Sequence, residues 1–420
     1  MNTLGSRLVG RGGAGLIAAA LVAYLGAVGL GDALGVNVWH LFGVPADVQV
    51  KFLDLRAITS AWDCARRGLD PLVADPCDPL LRPMNYPRIW LQVGLLLHLS
   101  SAATIPIGIA FAAVYVAAMS AIASWLPANR AWLLLPFVLS PTWMTAVERG
   151  NNDIVVLGLL TAAALLGHGK TRLREAACLV CAIAAAIKIY PIVGLAAWSR
   201  MRITPWILAM ASLVAGYFLV TFPDLQLIAA GTPEPTTFAF GARILELRLV
   251  SFRQLSSTSA VAVTIVAVLL LALAGVALSR RLRSLDTAEP ARPVVRLAFR
   301  IGALIYLGVF VANSNFAYRL ILLALTLPML IVRSTSLNPA QRRFAKVTLG
   351  VTLALSWGLR VAAVWPLTAA LAAVLFVLML AQCIAEFFPT RSSWASSIDP
   401  TEYRSRAELV MASDRAENLP

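Results

Sequence analysis

Long apolar runs with almost no charged residues recur along the whole chain. Each run approaches the roughly 20 residues that an α-helix needs to cross the hydrocarbon core of a bilayer. Hydrophobic residues make up 59% of the 420-residue chain and charged residues 13%, whereas soluble globular proteins average about 45–50% and 25%. One water-soluble core would not hold this much apolar surface. The sequence therefore predicts an all-α polytopic membrane protein, and it disfavours a soluble enzyme, a DNA-binding module and a secreted disulfide scaffold.

Hydropathy predicts about 10–12 transmembrane helices in one integral membrane domain that extends over residues 15–390. The first apolar run has no convincing small-residue cleavage site, so we expect it to be a retained helix. The candidate spans are 15–36, 102–126, 130–147, 152–168, 203–222, 257–279, 296–313, 317–333, 347–363 and 366–388.

The net charge of +14 comes from basic residues that lie in short clusters between the apolar runs. This pattern is typical of cytoplasmic loops under the positive-inside rule and not of a nucleic-acid-binding face. It predicts cytoplasmic termini, with tails at 1–14 and 391–420. Two large segments, 37–88 and 223–256, are then expected outside.

Segment 176–198 conflicts with this topology, because basic residues flank it on both sides and both flanks are expected to be cytoplasmic. Midway it carries Lys188-Ile189-Tyr190-Pro191, and both a buried lysine and a proline are costly in a membrane helix. A re-entrant pair of half-helices with this motif at its apex resolves the conflict. A single kinked span remains the alternative.

The first outer segment has apolar residues at helical spacings of four, three, four and three. They predict an amphipathic helix in the membrane interface, anchored by Trp62 and ended by Gly68 and Pro71, with a second amphipathic stretch at 88–99. The spaced positions are Val48, Phe52, Leu55, Thr59 and Trp62.

Two of the five cysteines, Cys64 and Cys77, lie in this outer segment, where an oxidising compartment permits a disulfide. Spacing alone does not fix their geometry, so the bond remains open. Cys178, Cys181 and Cys383 lie in apolar runs and are expected to be small core residues. With three histidines in the chain, we expect no metal site.

Four polar groups are expected to converge on the outer face: Asp54, the turn 148–153, the apex around Lys188, and the turn 313–319. Each alone is typical of a solvated turn. Together they set three cations, Arg149, Lys188 and Arg319, beside carboxylates. Cations neutralise phosphate oxygens, and one carboxylate suffices to deprotonate an attacking hydroxyl when the leaving group is already a stable phosphate.

The preferred base is Asp54, and the other carboxylates of the same outer segment are rivals. Three of these rivals precede proline, where aspartate commonly serves as a turn residue. The rivals are Asp47, Asp63, Asp70, Asp75 and Asp78, of which the last three precede proline.

These motifs resemble the multispanning GT-C glycosyltransferases that use polyprenyl-phosphate sugars, and among them glycosyltransferase family 87. The similarity lies in the order and spacing of four short motifs over about residues 15–335. They are Phe52-Leu53-Asp54-Leu55-Arg56 with Gly68-Leu69-Asp70-Pro71, then Arg149-Gly150-Asn151-Asn152-Asp153, then Lys188-Ile189-Tyr190-Pro191, and then Tyr318-Arg319.

The resemblance implies an inverting hexosyltransferase that moves mannose from polyprenyl-phosphate-mannose to a hydroxyl of a lipid or glycan acceptor. It implies a multi-pass protein of the bacterial plasma membrane with its site on the outer face, and no cofactor. Asp54 would be the catalytic base, and Lys188 and Arg319 would hold the donor phosphate. The other substrate-binding residues would be Arg149, Asn151, Asn152, Asp153, Tyr190 and Tyr318.

The chain departs from the family at Asn151, where relatives often carry glutamine, and it has no match for a later catalytic histidine. The sugar and the supporting residues therefore stay open. Two other functions also remain: a transporter or lipid flippase, which would need polar groups continuing through the midplane, and a non-catalytic membrane scaffold.

Overall fold

The computed structural model describes residues 3–46, 50–169, 171–199, 204–233, 238–284, 291–312, 315–358 and 365–388. The predicted C-terminal tail, Asp47, Val48 and Asn313 lie outside these ranges. The structure is 79% helix and 1% strand, which confirms the all-α prediction.

The α-helices of the first half are α1 Thr3–Ala33, α2 Val38–Leu41, α3 Leu53–Arg66, α4 Ile89–Leu96, α5 Thr104–Ser124, α6 Ala128–Ala131, α7 Leu135–Val138, α8 Pro141–Glu148, α9 Asp153–Gly167 and α10 Thr171–Ile187. Those of the second half are α11 Thr204–Val220, α12 Phe222–Gly231, α13 Ala242–Arg253, α14 Ser257–Ser284, α15 Pro293–Ala312, α16 Leu327–Arg333, α17 Pro339–Gly358 and α18 Trp365–Phe387. The 3₁₀ helices are Ser101–Ala103, Trp132–Leu134, Tyr190–Trp198 and Ala317–Leu325. Two short strands, β1 Ala239–Phe240 and β2 Asn315–Phe316, pair antiparallel.

Five described helices are long and apolar enough to cross a membrane, and two bent helix pairs raise the number of candidate spans to seven. The five are Gly12–Ala33, Ser101–Ser124, Ser257–Arg283, Pro293–Ala312 and Leu367–Phe387. The protein is therefore polytopic, but the described residues contain fewer candidate spans than the 10–12 that hydropathy predicts.

Two of the missing spans are interrupted. The run 130–147 is divided into several helices that break near Pro136 and Pro141, since proline lacks the backbone donor that a continuous helix requires. The run 317–333 consists of a 3₁₀ helix followed by the short α16. Sliding-window hydropathy records apolar length and is insensitive to such breaks.

Segment 171–198 turns back on itself. Its first arm is α10, and its second arm is the 3₁₀ helix Tyr190–Trp198. At the turn, Lys188 donates a hydrogen bond to Asn152, beside the first residue of α9. At the return end, Trp198 lies so close to Gly167, the last residue of α9, that a Cβ there would meet its indole nitrogen at 2.9 Å. This path agrees with the hairpin prediction and not with a single kinked span, although the first arm is a full 17-residue helix.

Helix α3 is buried on most of its surface, with ten of its fourteen residues buried. Trp62 is 2% exposed, donates from Nε1 to the carbonyl of Trp90 at 2.8 Å and packs on Gly94. The prediction of an interfacial helix anchored by Trp62 is therefore wrong. The amphipathic spacing is real, but α4 and α5 cover the faces that would have met lipid and water.

The turns of the outer segment follow the sequence prediction. Helix α3 ends at Arg66, and Gly68 adopts a positive φ of 80°. Cys64 and Cys77 form a disulfide. Asp70, Asp75 and Asp78 each accept a hydrogen bond from the backbone N–H two residues further on, as expected for turn residues.

Candidate functional site

Asp54 lies in the first turn of α3, where the chain changes direction at Phe52, which has a left-handed backbone with φ 54°. The first N–H groups of a helix have no partner within the helix. Here the N–H groups of Asp54 and Leu55 donate to the carbonyl of Arg149 at 2.9 and 3.3 Å. The start of α3 is thereby fixed against the turn between α8 and α9.

The Asp54 carboxylate is 7% exposed, and both of its oxygens accept hydrogen bonds. Oδ1 accepts from Nε and Nη2 of Arg149 at 2.9 and 2.7 Å, and Oδ2 accepts from Nδ2 of Asn151 at 2.6 Å. Burial of a charge requires such charge-assisted bonds. Since a carboxylate has about four lone-pair positions, Oδ2 retains the capacity to accept a further proton donor.

The turn that supplies these donors depends on Gly150. Its φ is 59°, and a Cβ would meet the Cβ atoms of Leu55 and Phe52 at 3.0 Å. Asn151 follows, and its Oδ1 accepts from the backbone N–H of Asp153 at 2.9 Å, at the start of α9. A glycine is required here for both its conformation and its size.

Lys188 brings the apex of the hairpin to the same turn. Its Nζ donates to Oδ1 of Asn152 at 2.6 Å and to Oδ1 of Asn151 at 3.1 Å, and it forms an ion pair with Asp153 at 2.5 Å. Asp153 is fully buried, so it provides the charge that permits a lysine at this depth.

Arg319 approaches Asp153 from the other side. Its Nε lies 3.9 Å from Oδ2 of Asp153, and its guanidinium lies 5.1 Å from the centre of the Tyr190 ring. The Tyr190 hydroxyl donates to Asp153, and Arg319 donates to Asn315. Tyr318 contributes by stacking on Phe316, next to the β1–β2 pair that holds this turn.

The structure thus brings together all nine candidate residues named from the sequence, from segments up to 265 positions apart. In the network that connects Asp54, Arg149, Lys188, Asp153 and Arg319, three cations face two carboxylates. One positive charge is therefore left over formally.

Three buried polar atoms of this network have no hydrogen-bond partner among the described residues: Nδ2 of Asn152, Nε of Arg319 and Oδ2 of Asp153. Buried polar atoms are rarely left unpaired in native proteins. Two are donors, which suit the oxygens of an anion, and the third is an acceptor, which suits a hydroxyl. The arrangement can bind a ligand that carries both an anionic group and hydroxyl groups.

Tyr86 belongs to the site, although nothing in its sequence context predicts this beyond its position before a predicted helix. Lys188 Nζ lies 5.8 Å from the centre of its ring, a distance that permits a cation–π contact. Burial, with a contribution from the Asp54 carboxylate, raises the pKa of Tyr86 well above its ordinary value. The hydroxyl therefore stays protonated. Tyr86 and Lys188 lie about a hundred residues apart in the sequence, so no local pattern identifies Tyr86 as a site residue.

Arg82 is a second residue that the sequence analysis missed. It pairs with Asp78 through Nε at 2.9 Å and Nη2 at 3.1 Å, and it donates from Nη2 to the carbonyl of Leu53 at 3.0 Å. Burial of Arg82 disfavours the charged guanidinium and lowers its pKa, but the hydrogen bonds and the negative charge of Asp78 outweigh this effect. The pKa of Arg82 is therefore raised. Arg82 thus supports the backbone immediately before Asp54.

The described residues contain one group of potential metal ligands outside this network, formed by Cys64, Asp75 and Cys77. Its two sulfur atoms are joined in the disulfide, so they have no thiolate to offer a metal.

The chain matches no family model, no curated protein and no solved structure.

Proposed function

We propose that this protein is a membrane glycosyltransferase that moves a hexose, mannose by its motif resemblance, from a polyprenyl phosphate to a hydroxyl of a lipid or glycan acceptor. In this proposal the reaction takes place on the outer face of the bacterial plasma membrane. The observation that carries it is the buried network in which one carboxylate, Asp54, is joined through Asn151 to Lys188. Lys188 is joined in turn through Asp153 to the second cation, Arg319.

The chemistry assigns one role to each side of the network. Asp54 accepts the proton of the acceptor hydroxyl as that oxygen bonds to the anomeric carbon. The bond from the anomeric carbon to the lipid phosphate breaks on the opposite face of the sugar, so the configuration inverts. Lys188 and Arg319 neutralise the departing phosphate, which leaves as an anion and needs no general acid.

The buried atoms that lack a hydrogen bond support the same division. Nδ2 of Asn152 is a donor suited to a phosphate oxygen. Nε of Arg319 and Oδ2 of Asp153 form an ion pair at 3.9 Å, too long for a hydrogen bond, so the first can still donate to a phosphate oxygen and the second can still accept from a sugar hydroxyl. Arg149 would position Asp54 through its two hydrogen bonds to Oδ1. Oδ2, which accepts one bond from Asn151, would take the proton of the acceptor on its remaining lone pair.

A transporter or flippase is the second candidate, and one observation bears on it. Another buried polar group lies at the far end of the segment 317–333, where Arg333 pairs with Glu386 and Gln382 donates to Thr348 at 3.1 Å. A transport path would have to connect the two groups. Along that segment they are separated by buried apolar residues from Leu320 to Leu325, which favours the enzyme.

The test is transfer of labelled mannose from polyprenyl-phosphate-mannose in membranes that contain this chain or its Asp54→Asn variant. We expect the variant to lose about 10²–10⁴-fold in rate, the usual contribution of a general base. Asp63→Asn is the matched control on the same helix, because Asp63 bonds to Arg66 and to the backbone of Ser101, away from the network.

Thermal unfolding in detergent checks that both variants remain folded. Full transfer by a folded Asp54→Asn variant would contradict the assignment of the base. If neither the unaltered chain nor the variant transfers sugar from any of a panel of polyprenyl-phosphate donors, the transferase proposal fails and the transporter becomes the better hypothesis.

A further inference from the structure

A groove of about 910 Å³ lies beside the site, between α1 and α5. Its long walls are apolar and include Val22 and Leu25 on one helix and Ile109 and Val116 on the other. Both helices are candidate membrane spans, and only about a third of each is buried inside the protein, 28% and 33%. In a bilayer, a groove between two such helices would face hydrocarbon chains and not water.

Polar residues also line the groove, and they come from segments at the outer ends of these helices. Asp32 pairs with Lys51 at 2.6 Å, and Asn37 and Glu148 belong to the same lining. Glu148 is the residue immediately before Arg149. The groove therefore joins a long apolar wall to a charged end, which suits a ligand with a hydrocarbon chain and a polar head group.

Phe52 lies at the boundary between the groove and the network around Asp54. It lines the groove, and its ring occupies the space that a side chain at Gly108 of α5 would need. Two residues further on is Asp54. A left-handed backbone is unfavourable for phenylalanine, and such conformations concentrate at functional sites, where the surrounding structure enforces them.

We propose that the groove binds the hydrocarbon chain of the acceptor and that Phe52 determines how far the acceptor's head group reaches toward Asp54. This inference rests on the proposed function and deepens it. It assigns the acceptor to membrane amphiphiles with a hydroxylated head group, and not to soluble glycans or proteins. The site would then receive its sugar acceptor from the lipid phase.

Two glycines in the groove make a direct test possible. Gly26 and Gly29 line it, and no atom lies within 4 Å of the position that a Cβ would occupy on either. The Cβ atoms of the double variant Gly26→Leu/Gly29→Leu therefore enter open space, so its side chains are expected to fill the groove, and leucine is a better helix former than glycine. Gly15 is the matched control, because it lies on the same helix with equally open space and outside the groove.

The first measurement is binding, made without any sugar donor. The purified full chain in lipid nanodiscs is cross-linked to an alkyl glycoside that carries a diazirine in its chain, and labelled peptides are mapped by mass spectrometry. We expect labels on the groove faces of α1 and α5. Labelling should fall about tenfold in the filled variant, the effect of displacing roughly two buried methylenes, and it should be unchanged in Gly15→Leu. Equal labelling of the filled variant and the unaltered chain would overturn the inference.

The second measurement is transfer to the long-chain glycoside and to the methyl glycoside with the same head group. The filled variant should lose about tenfold with the long chain and nothing with the methyl compound. A Phe52→Leu variant should change the chain length that the enzyme prefers among long-chain glycosides, because Phe52 lines the groove. If the unaltered chain uses both glycosides equally well, the groove has no role in acceptor binding and the inference fails, while the transferase stands. If the groove is labelled but no donor supports transfer, the proposed function fails, and the groove remains an amphiphile site.

Discussion

Asn151 is the residue that joins the two halves of the site, because a single amide serves three partners. Its Nδ2 donates to Asp54, and its Oδ1 accepts from both Lys188 and the backbone of Asp153. Glutamine would move the amide by one methylene. The asparagine at this position therefore fits a network in which the amide must remain close to its own backbone.

A second residue, Asp75, permits a prediction about pH. Burial raises its pKa, although the backbone N–H of Cys77 and the Ser60 hydroxyl donate to it. A carboxyl whose pKa is higher in the folded state binds more protons there than when unfolded, so stability falls as pH rises above about 4. Asparagine does not ionise, so Asp75→Asn removes this loss of stability at high pH. We expect the variant to unfold at a higher temperature than the unaltered chain at pH 8 and at the same temperature near pH 4.

The contrasting control is Asp78→Asn, which breaks the ion pair with Arg82 and should lower the unfolding temperature at pH 8. The explanation would be contradicted if Asp75→Asn had the same effect at both pH values, as measured by thermal unfolding in one detergent.

At the level of single residues, the sequence predicted the members of the site better than their partners. The residue types and their spacing were sufficient to expect Asp54, Lys188 and Arg319 to lie near one another, while their roles stay predictions. They did not show that Asp153 would lie between the two cations, nor that Tyr86 would lie beside Lys188. Those contacts are set by how helices pack, and hydropathy carries no information about packing.

At the level of elements, turns and caps were the most predictable features. The end of α3, the turns at Asp70, Asp75 and Asp78, and the direction of the hairpin follow from local chemistry that is visible in the sequence. The burial of α3 was not predictable, because an amphipathic helix has the same period whether its apolar face meets lipid or protein.

We expect the disulfide between Cys64 and Cys77 to stabilise α3. It closes a loop between positions 13 residues apart, and loops of this size contribute roughly 3 kcal/mol to stability. A Cys64→Ser/Cys77→Ser variant should therefore unfold at a lower temperature and lose transfer, since α3 carries Asp54. Thermal unfolding with and without reductant measures the effect.

Reductant should lower the unfolding temperature of the unaltered chain and have no effect on the double variant. The three remaining cysteines are free and buried, so an equal response of both proteins would mean that another bond or a general solvent effect is responsible.

At the level of the whole molecule, the candidate site is expected on the outer face of the membrane and the basic clusters on the cytoplasmic face. Ser256 is exposed between α13 and α14, in the segment expected outside, and Leu337 is 96% exposed between α16 and α17, in a segment expected inside. We expect a membrane-impermeant maleimide to label Ser256→Cys in intact cells. It should label Leu337→Cys only after the membrane is opened.

Labelling of Leu337→Cys in intact cells would mean that the predicted topology is reversed and that the site lies on the cytoplasmic face. The number of spans was the weakest part of the sequence prediction, because apolar length does not reveal where a helix breaks. That segments far apart in the sequence would meet at one site was predictable only from the polar motifs that they carry.

The first turn of each long 3₁₀ helix contains residues of the candidate site. Tyr190–Trp198 starts at a tyrosine that contacts Asp153, and Ala317–Leu325 starts just before Arg319. A 3₁₀ helix rises about 2.0 Å per residue and an α-helix 1.5 Å. If either nine-residue stretch rewound as α-helix, it would shorten by about 4.5 Å, since each residue would rise 0.5 Å less. A change of winding in either stretch would therefore be expected to move a cation of the site, Lys188 before the first stretch or Arg319 within the second, relative to the carboxylates.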